Sequence, residues 1–385
     1  MKIAIITLPL HVNYGGLLQA YALKSVLEGM DNEVTVLDLK EKMPLPLWWK
    51  APAIYLKRAL LNLVNKGKGP EVFRELRARR EFPVISANTG RFVAEYIAPR
   101  VIKDYEEIEE EFDAFVVGSD QVWRPRYFGK IENAFLDFTS EWDVLRISYA
   151  ASFGTDELEY EYARLEECSR LLHRFDAVSV REDSAVKFCD EWFSYPGAVQ
   201  VLDPVMLLPA QTYLDLAAKE PFHQAEGKVV TYMLDKHNNT GIIAEFVRKV
   251  TGHSIYDVSV NPGNPGNPAI PVHDRVVPPM ERWIASIANS SFVITDSFHV
   301  CVLSILFHKP FLVIANSVRG LPRISSLLRL FGLDSRLVQG IDPEDDGQGW
   351  LLEIDWDSVD KVLEEQRKLS VDFLKRSIER RSEDE

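Results

Sequence analysis

Residues 292–314, FVITDSFHVCVLSILFHKPFLVI, decide how the chain is built. They read as a buried strand (FVIT), a tight polar junction (Asp296, Ser297, Phe298, His299), an apolar helix and a second buried strand (PFLVI). Asp296 or Ser297 is placed as helix N-cap, because the apolar run starts directly after it. His299 then falls in the first helical turn, where unpaired backbone N–H groups and the helix dipole favour an anion. An imidazole there can act as a general acid or steady a phosphate. It can equally satisfy a local carbonyl.

The same alternation runs back to the amino terminus. Lys2–Leu8 is an isoleucine-rich buried strand, PLHVNYGG a polar glycine-bearing turn, and LLQAYALKSVLEGM a helix with Ala20, Leu23 and Leu27 on one face. EVTVLDL (33–39) alternates as a second strand, which completes a right-handed βαβ unit. Gly15 and Gly16 are read either as letting the backbone approach a ligand or as a tight turn needing positive φ. Asn13, Tyr14 and Gln19 are the candidates to hydrogen-bond that ligand. Further strands are expected at Ala114–Val117, Arg146–Ala150, Asp176–Val180 and Val199–Leu202. Each ends in polar residues: Gly118-Ser119-Asp120-Gln121, Ser152, Arg181-Glu182-Asp183 and Asp203. In a parallel α/β sheet these ends share one rim, where ligands bind.

A second series starts near Lys228 with VVTYML, which ends in Asp235-Lys236-His237-Asn238, and continues through HSIYDV to the opening stretch. NPGNPGNPAIPVHDRVVPP is a long loop, either a lid or a connector. Beyond PFLVI, Arg319 and Arg323 are spaced so that both could face one anion from a helix start.

Two segments break the alternation. Residues 43–102 carry Trp48-Trp49, YLKRALLNLV and VFRELRARREF, a basic amphipathic insertion in an otherwise acidic chain. It reads as a solvated helical excursion or as a peripheral contact with an anionic membrane surface. The tail from Asp357 is a charged amphipathic helix expected to pack back across the domains.

With 385 residues there is room for two cored domains. The predicted division is an N-terminal Rossmann-like domain (1–205, with the insertion), a C-terminal Rossmann-like domain (206–356) and the closing helix (357–385). The expected fold is α/β, two doubly wound domains facing a cleft, glycosyltransferase-B-like. A net charge of −14 argues against general nucleic-acid binding. The three cysteines lack CxxC pairing, which argues against a zinc site or a disulfide framework, and no spacing suggests a bound metal. The opening KIAIITL is too short for a signal or a membrane span, so a cytoplasmic protein is expected, at the inner face of the membrane if the insertion docks there.

In family order, NYGGLLQAYAL, VVGSDQVW, SYAASFG, SVREDSA, VLDPVMLL and TDSFHVCVLSILFHKPF resemble the polysaccharide pyruvyl transferases, from Met1 to about Leu333. The resemblance implies transfer of pyruvate from phosphoenolpyruvate to two hydroxyls of a sugar in a polysaccharide or its lipid-linked precursor. The product would be a cyclic ketal with release of phosphate. Phosphoenolpyruvate is then a co-substrate and no cofactor is expected. It also implies that Arg181 in SVRE grips phosphoenolpyruvate and that His299 in TDSFH is the active-site histidine. Better-studied members have arginine directly before that histidine, where this chain has Phe298, and often glycine after it, where this chain has Val300. Arg319 or Arg323 is expected to supply the missing charge.

The chemistry needs guanidinium forks for a carboxylate and a phosphate, and an acid for the methylene carbon. His299 is assigned as general acid or phosphate stabiliser, with Arg181, Ser297, Arg319 and Arg323 on the donor. Asp120 or Asp296 is assigned to accept a hydroxyl proton, although both also suit capping or turn roles. Asn13, Tyr14, Gly15, Gly16 and Gln19 are placed on the acceptor side. A nucleotide-sugar glycosyltransferase and a non-catalytic glycan-binding member remain the alternatives.

Overall fold

The structure, a computed structural model, describes residues 1–40, 45–65, 69–235, 240–258, 270–316, 320–338 and 353–379. The first sheet contains β1 (Lys2–Ile6), β2 (Glu33–Leu39), β3 (Arg100–Ile102), β4 (Ala114–Asp120), β5 (Leu145–Ala151), β6 (Ala177–Val180) and β7 (Val199–Gln200). All seven run parallel, in the order β3-β2-β1-β4-β5-β6-β7. Its helices are α1 (Tyr14–Glu28), α2 (Ala51–Val64), α3 (Arg74–Ile85), α4 (Ala87–Phe92), α5 (Tyr162–Leu172) and α6 (Asp183–Phe193). After α7 (Ala210–Ala218) the second sheet collects β8 (Val229–Tyr232), β9 (Ile255–Asp257), β10 (Phe292–Thr295), β11 (Phe311–Ile314) and β12 (Leu337–Val338). These five are also parallel, ordered β12-β11-β10-β8-β9. Around them lie α8 (Thr240–Thr251), α9 (Met280–Ala288), α10 (Phe298–Leu306), α11 (Leu321–Leu330) and the closing α12 (Trp356–Glu379).

Both sheets are doubly wound, and each reverses winding direction at one place: between β1 and β4 in the first, between β8 and β10 in the second. Ligands bind outside the carboxyl ends of strands at such switch points. One apolar core joins the sheets, running from Ile3, Leu17 and Tyr149 through Met280, Val302 and Phe311 to Leu374. This explains why α10 is apolar on every side: all nine of its residues are buried. A second core, around Trp123, Phe135, Phe153 and Phe193, fills the other face of the first sheet.

Several readings of the sequence change. The segment PLHVNYGG is a loop only as far as Asn13, because α1 begins at Tyr14 and takes both glycines into its first turn. The chain between β2 and β3, described over residues 45–65 and 69–99, is the crossover that joins them rather than a break in the winding. The last residues of the 43–102 segment are β3 itself, which pairs Leu37 with Arg100. Strands β3 and β12, of three and two residues, have too few residues to show a period. Lys236, His237, Asn238, residues 259–269 of the proline-rich loop, and Arg319 lie outside the described residues.

The closing helix touches both halves. Near its start, Trp356 stacks on His308 at 4.8 Å and Asp360 meets His308 Nε2 at 2.9 Å. Further along, Arg367 Nε donates to the Met206 carbonyl at 2.8 Å, Ser370 Oγ accepts from Leu202 N at 2.9 Å, and Phe373 lies against Tyr149.

Candidate active site

A cavity of about 400 Å³ opens between the two switch points. The first sheet contributes Leu8 beyond β1 and Asp120 and Gln121 at the end of β4; the second contributes Tyr232 and Leu234 after β8 and Asp296–His299 after β10. Asn13, Tyr14, Tyr127, Val277 and Arg323 complete much of the wall.

At its floor is a buried charge cluster. Arg181 leaves β6 and donates to Asp203 Oδ2 at 2.8 Å, to Ser119 Oγ at 2.6 Å and to Asp120 Oδ1 at 3.4 Å. Arg323, in the first turn of α11, donates to the same Asp120 oxygen at 2.8 Å. Asp120 therefore bridges two guanidiniums whose residues are 142 positions apart in sequence (323 − 181). Burial alone would raise its carboxyl pKa, but Arg181, Arg323 and His299 together hold it below the usual value. Asp203 is opposed by burial in the same way and is held at about 2 by Arg181 and His299. Glu182 is the counterexample. Burial dominates there, so its carboxyl is pushed up, with Ser152 Oγ donating to one oxygen at 2.8 Å.

Phe298 stands where the family resemblance expects an arginine, and its ring lies against both guanidiniums, 4.8 Å from Arg181 and 5.6 Å from Arg323. The positive charge is thus delivered by two longer-range arginines, with an aromatic face between them. Gly320, at φ 84°, admits Arg323: a Cβ there would lie 2.7 Å from the guanidinium Nε. His299 Nε2 lies 3.7 Å from Asp203 Oδ2, so the carboxylate faces the imidazole.

The other expected residues divide clearly. Ser297, not Asp296, is the N-cap of α10, and its side chain makes no cap bond. Asp296 instead accepts from the amides of Leu234 and Asp235 at 2.7 and 3.1 Å and from Asn316 Nδ2 at 3.0 Å, tying together the loops after β8, β10 and β11. Asn13 and Tyr14 line the cavity, but Tyr14 is fully engaged: its hydroxyl donates to the Pro278 carbonyl at 2.6 Å and its ring stacks on Trp283 at 4.9 Å. Gly15 abuts His299 rather than open space. Gln19 is buried behind the site, donating to Thr7 Oγ1 and accepting from Ser119 N, each at 2.9 Å, while the Gly16 carbonyl accepts its second bond. Asp203, Gln121, Tyr127 and Tyr232 had not been singled out as site residues. For Asp203 a signal existed: an Asp-Pro after a strand, which here caps a 3-10 turn through Val205 N at 2.9 Å. Among the described residues, no group of three His, Cys, Asp or Glu side chains is placed to hold a metal ion.

Two parallel α/β sheets whose switch points face one cavity define a glycosyltransferase-B-like fold. A Listeria monocytogenes structure described as a UDP-N-acetylglucosamine 2-epimerase matches over 100% of this chain and 97% of its own, at 11% identity and a TM-score of 0.53. The Neisseria meningitidis UDP-GlcNAc 2-epimerase matches at 14% identity over 98% and 100%, with a TM-score of 0.48. The kitacinnamycin glycotransferase matches at 14% identity over 98% of both chains, with a TM-score of 0.43. At 11% identity the likeness to the Listeria structure is one of fold. No curated protein matches the sequence. A family model, polysaccharide pyruvyl transferase, spans residues 13–318. The chain belongs to that family, and it is a transferase.

Proposed function

We propose that the protein transfers pyruvate from phosphoenolpyruvate to two hydroxyls of one sugar, in a polysaccharide or its lipid-linked precursor, forming a cyclic ketal and releasing phosphate. The observation that carries this reading is the pair of buried guanidiniums, Arg181 and Arg323, flanking Phe298 beside His299 in the interdomain cavity. A donor with both a carboxylate and a phosphate suits two such forks. Ser297 adds a hydroxyl at the start of α10, and Arg319 joins the donor side on sequence grounds.

In the reaction, protonated His299 gives its proton to the methylene carbon, which becomes the methyl group. The first sugar hydroxyl bonds to C2 and its proton passes to the imidazole. That proton then leaves with the phosphate as the C2–O bond breaks. The second hydroxyl closes the ketal and returns its proton to His299. Asp203 steadies the imidazolium. Asp120 and Asp296, the carboxylates first assigned as bases, are engaged by arginines and by amides respectively. In this reading they position the site: Asp120, its carboxyl held below the usual value, is a weak base, and both oxygens of Asp296 are taken by hydrogen bonds. Asn13 and Tyr14 face the acceptor. The buried free cysteines Cys168, Cys189 and Cys301 fit a reducing compartment, and the reaction is placed in the cytoplasm.

The test is a calorimetric titration with phosphoenolpyruvate of the wild type and of Arg181→Ala, Arg323→Ala and His299→Ala, with nucleotide sugars as controls. Binding that either arginine variant weakens at least tenfold supports the reading. Nucleotide-sugar binding with none for phosphoenolpyruvate overturns it in favour of glycosyl transfer. Donor binding without phosphate release, across a screen of sugar acceptors, points to a non-catalytic member.

A further inference from the structure

Helix α2 exposes most of its apolar residues. None of its residues is buried, although seven of its fourteen are Leu, Ile, Val or Tyr. The side facing the protein is mixed: Ile54 and Tyr55 are half-buried there, with the Tyr55 ring 4.9 Å from Phe73, beside Arg58, which forks onto Glu75 at 2.7 and 2.8 Å, and Asn62, whose Oδ1 accepts from Gly69 N at 3.1 Å. The outward side carries Leu56, Leu60, Leu63 and Val64, continued by Trp48 and Trp49 just before the helix, with Trp48 86% and Leu63 76% exposed. From Leu56 to Val64 the apolar stripe runs about 12 Å along the helix, and with Trp48 and Trp49 it forms a contiguous patch rather than the scattered apolar residues of an ordinary surface.

The charge of the segment identifies what the stripe fits. Residues 45–70 contain Lys50, Lys57, Arg58, Lys66 and Lys68 and no acidic residue, in a chain of net charge −14. Lys50 and Lys57 are exposed beside the stripe, and Lys50 Nζ sits 4.6 Å from the Trp49 ring. Tryptophan and leucine ringed by lysine on an interfacial helix match an anionic lipid surface, where aromatic rings settle at headgroup level and each basic residue adds attraction. The following helix leads from this face to the catalytic cleft. The Phe82 ring of α3 meets His11 at 5.7 Å, and Val277, which lines the cavity, donates its amide to the Ile85 carbonyl at 2.9 Å.

We infer that the α2 face, with Trp48 and Trp49, docks the protein reversibly onto an anionic membrane surface. Among the described residues no helix is long and apolar enough to cross a membrane, so the contact is peripheral. The inference stands independently of the reaction assigned above. A chain that docked without transferring pyruvate would keep this and lose that.

The test is flotation of the full chain with vesicles of phosphatidylcholine and phosphatidylglycerol, against pure phosphatidylcholine vesicles. The wild type is expected to float with the anionic vesicles. Recovery should fall at least tenfold on neutral vesicles, at high salt, and for Leu56→Glu/Leu60→Glu or Lys50→Glu/Lys57→Glu. Phosphoenolpyruvate binding should be unchanged in all of them. If the double glutamate variants fail to fold, Trp48→Ala/Trp49→Ala, placed before the helix, gives the same readout. Wild type that stays in the dense fraction, or variants that float as it does, overturn the inference. So does reversible self-association abolished by Leu56→Glu/Leu60→Glu without vesicle binding, which would assign the face to a second copy of the chain.

Discussion

Gly15 and His299 face each other across the domain boundary so closely that a single methyl could not stand between them: a Cβ on Gly15 would lie 2.1 Å from His299 Nδ1. Gly15 is helical and has no need of a glycine's backbone freedom. What it supplies is room for the imidazole. Gly15→Ala should therefore displace His299 and lower pyruvyl transfer by about 100-fold, the scale expected for roughly 1 Å of misplacement. Adding His299→Ala to Gly15→Ala should cost little more. Phosphate-release kinetics on the two single variants and the double variant decide it, and wild-type rates for Gly15→Ala would refute it.

Arg323 reaches the cleft from the second domain and shares Asp120 with Arg181. Donor binding should thus depend on an arginine that the SVRE motif does not contain. Arg323→Lys keeps a charge but loses the fork, and is expected to raise KM for phosphoenolpyruvate by about tenfold or more, equivalent to about 1.4 kcal/mol. A KM unchanged from wild type would count against this role.

Phe298 offers its ring to both guanidiniums. Phe298→Leu retains apolar volume but removes the π face, with an expected loss of about 1 kcal/mol. That loss should appear as a severalfold rise in donor KM with kcat largely kept, read from steady-state kinetics.

Asp203 gives a pH signature. Its carboxyl is held at about 2 against an ordinary value of 3.8, so the native state binds its proton less readily than the unfolded chain. The stabilisation is fully present above pH 3.8 and is lost as pH falls toward 2. Asp203→Asn removes one partner of a buried pair and should cost about 3 kcal/mol at pH 7, with the gap to wild type narrowing below pH 3.8. Urea unfolding at pH 7 and pH 3 measures both values, and a gap independent of pH would contradict the assignment.

The residues most legible in the sequence are those whose signal is local. FVIT is β10 residue for residue and EVTVLDL is β2, because buried strands carry their apolar run wherever they pair. Arg181 and His299 could be singled out beside their own strands. The ion pairs of Arg181 could not be read there, because Asp120 and Asp203 meet it only after four strands, β4 to β7, align side by side. The hydrogen bonds of Asp296 lay beyond a local reading for a related reason. Capping is a local possibility, whereas the amides of Leu234 and Asp235 are 62 and 61 residues away. The glycines of NYGG suggested a turn, yet the reason for Gly15 lies 284 residues away (299 − 15), on the other side of the cleft.

The closing helix α12 is fastened near its start to His308, beside the second sheet, and further along to Leu202 and Tyr149, at and within the first. It acts as a splint laid across a joint. Any swing of one sheet on the other must bend this helix or unlatch one of its fastenings. The same splint spans the two halves from which Arg181 and Arg323 reach Asp120, and so holds that shared contact in register.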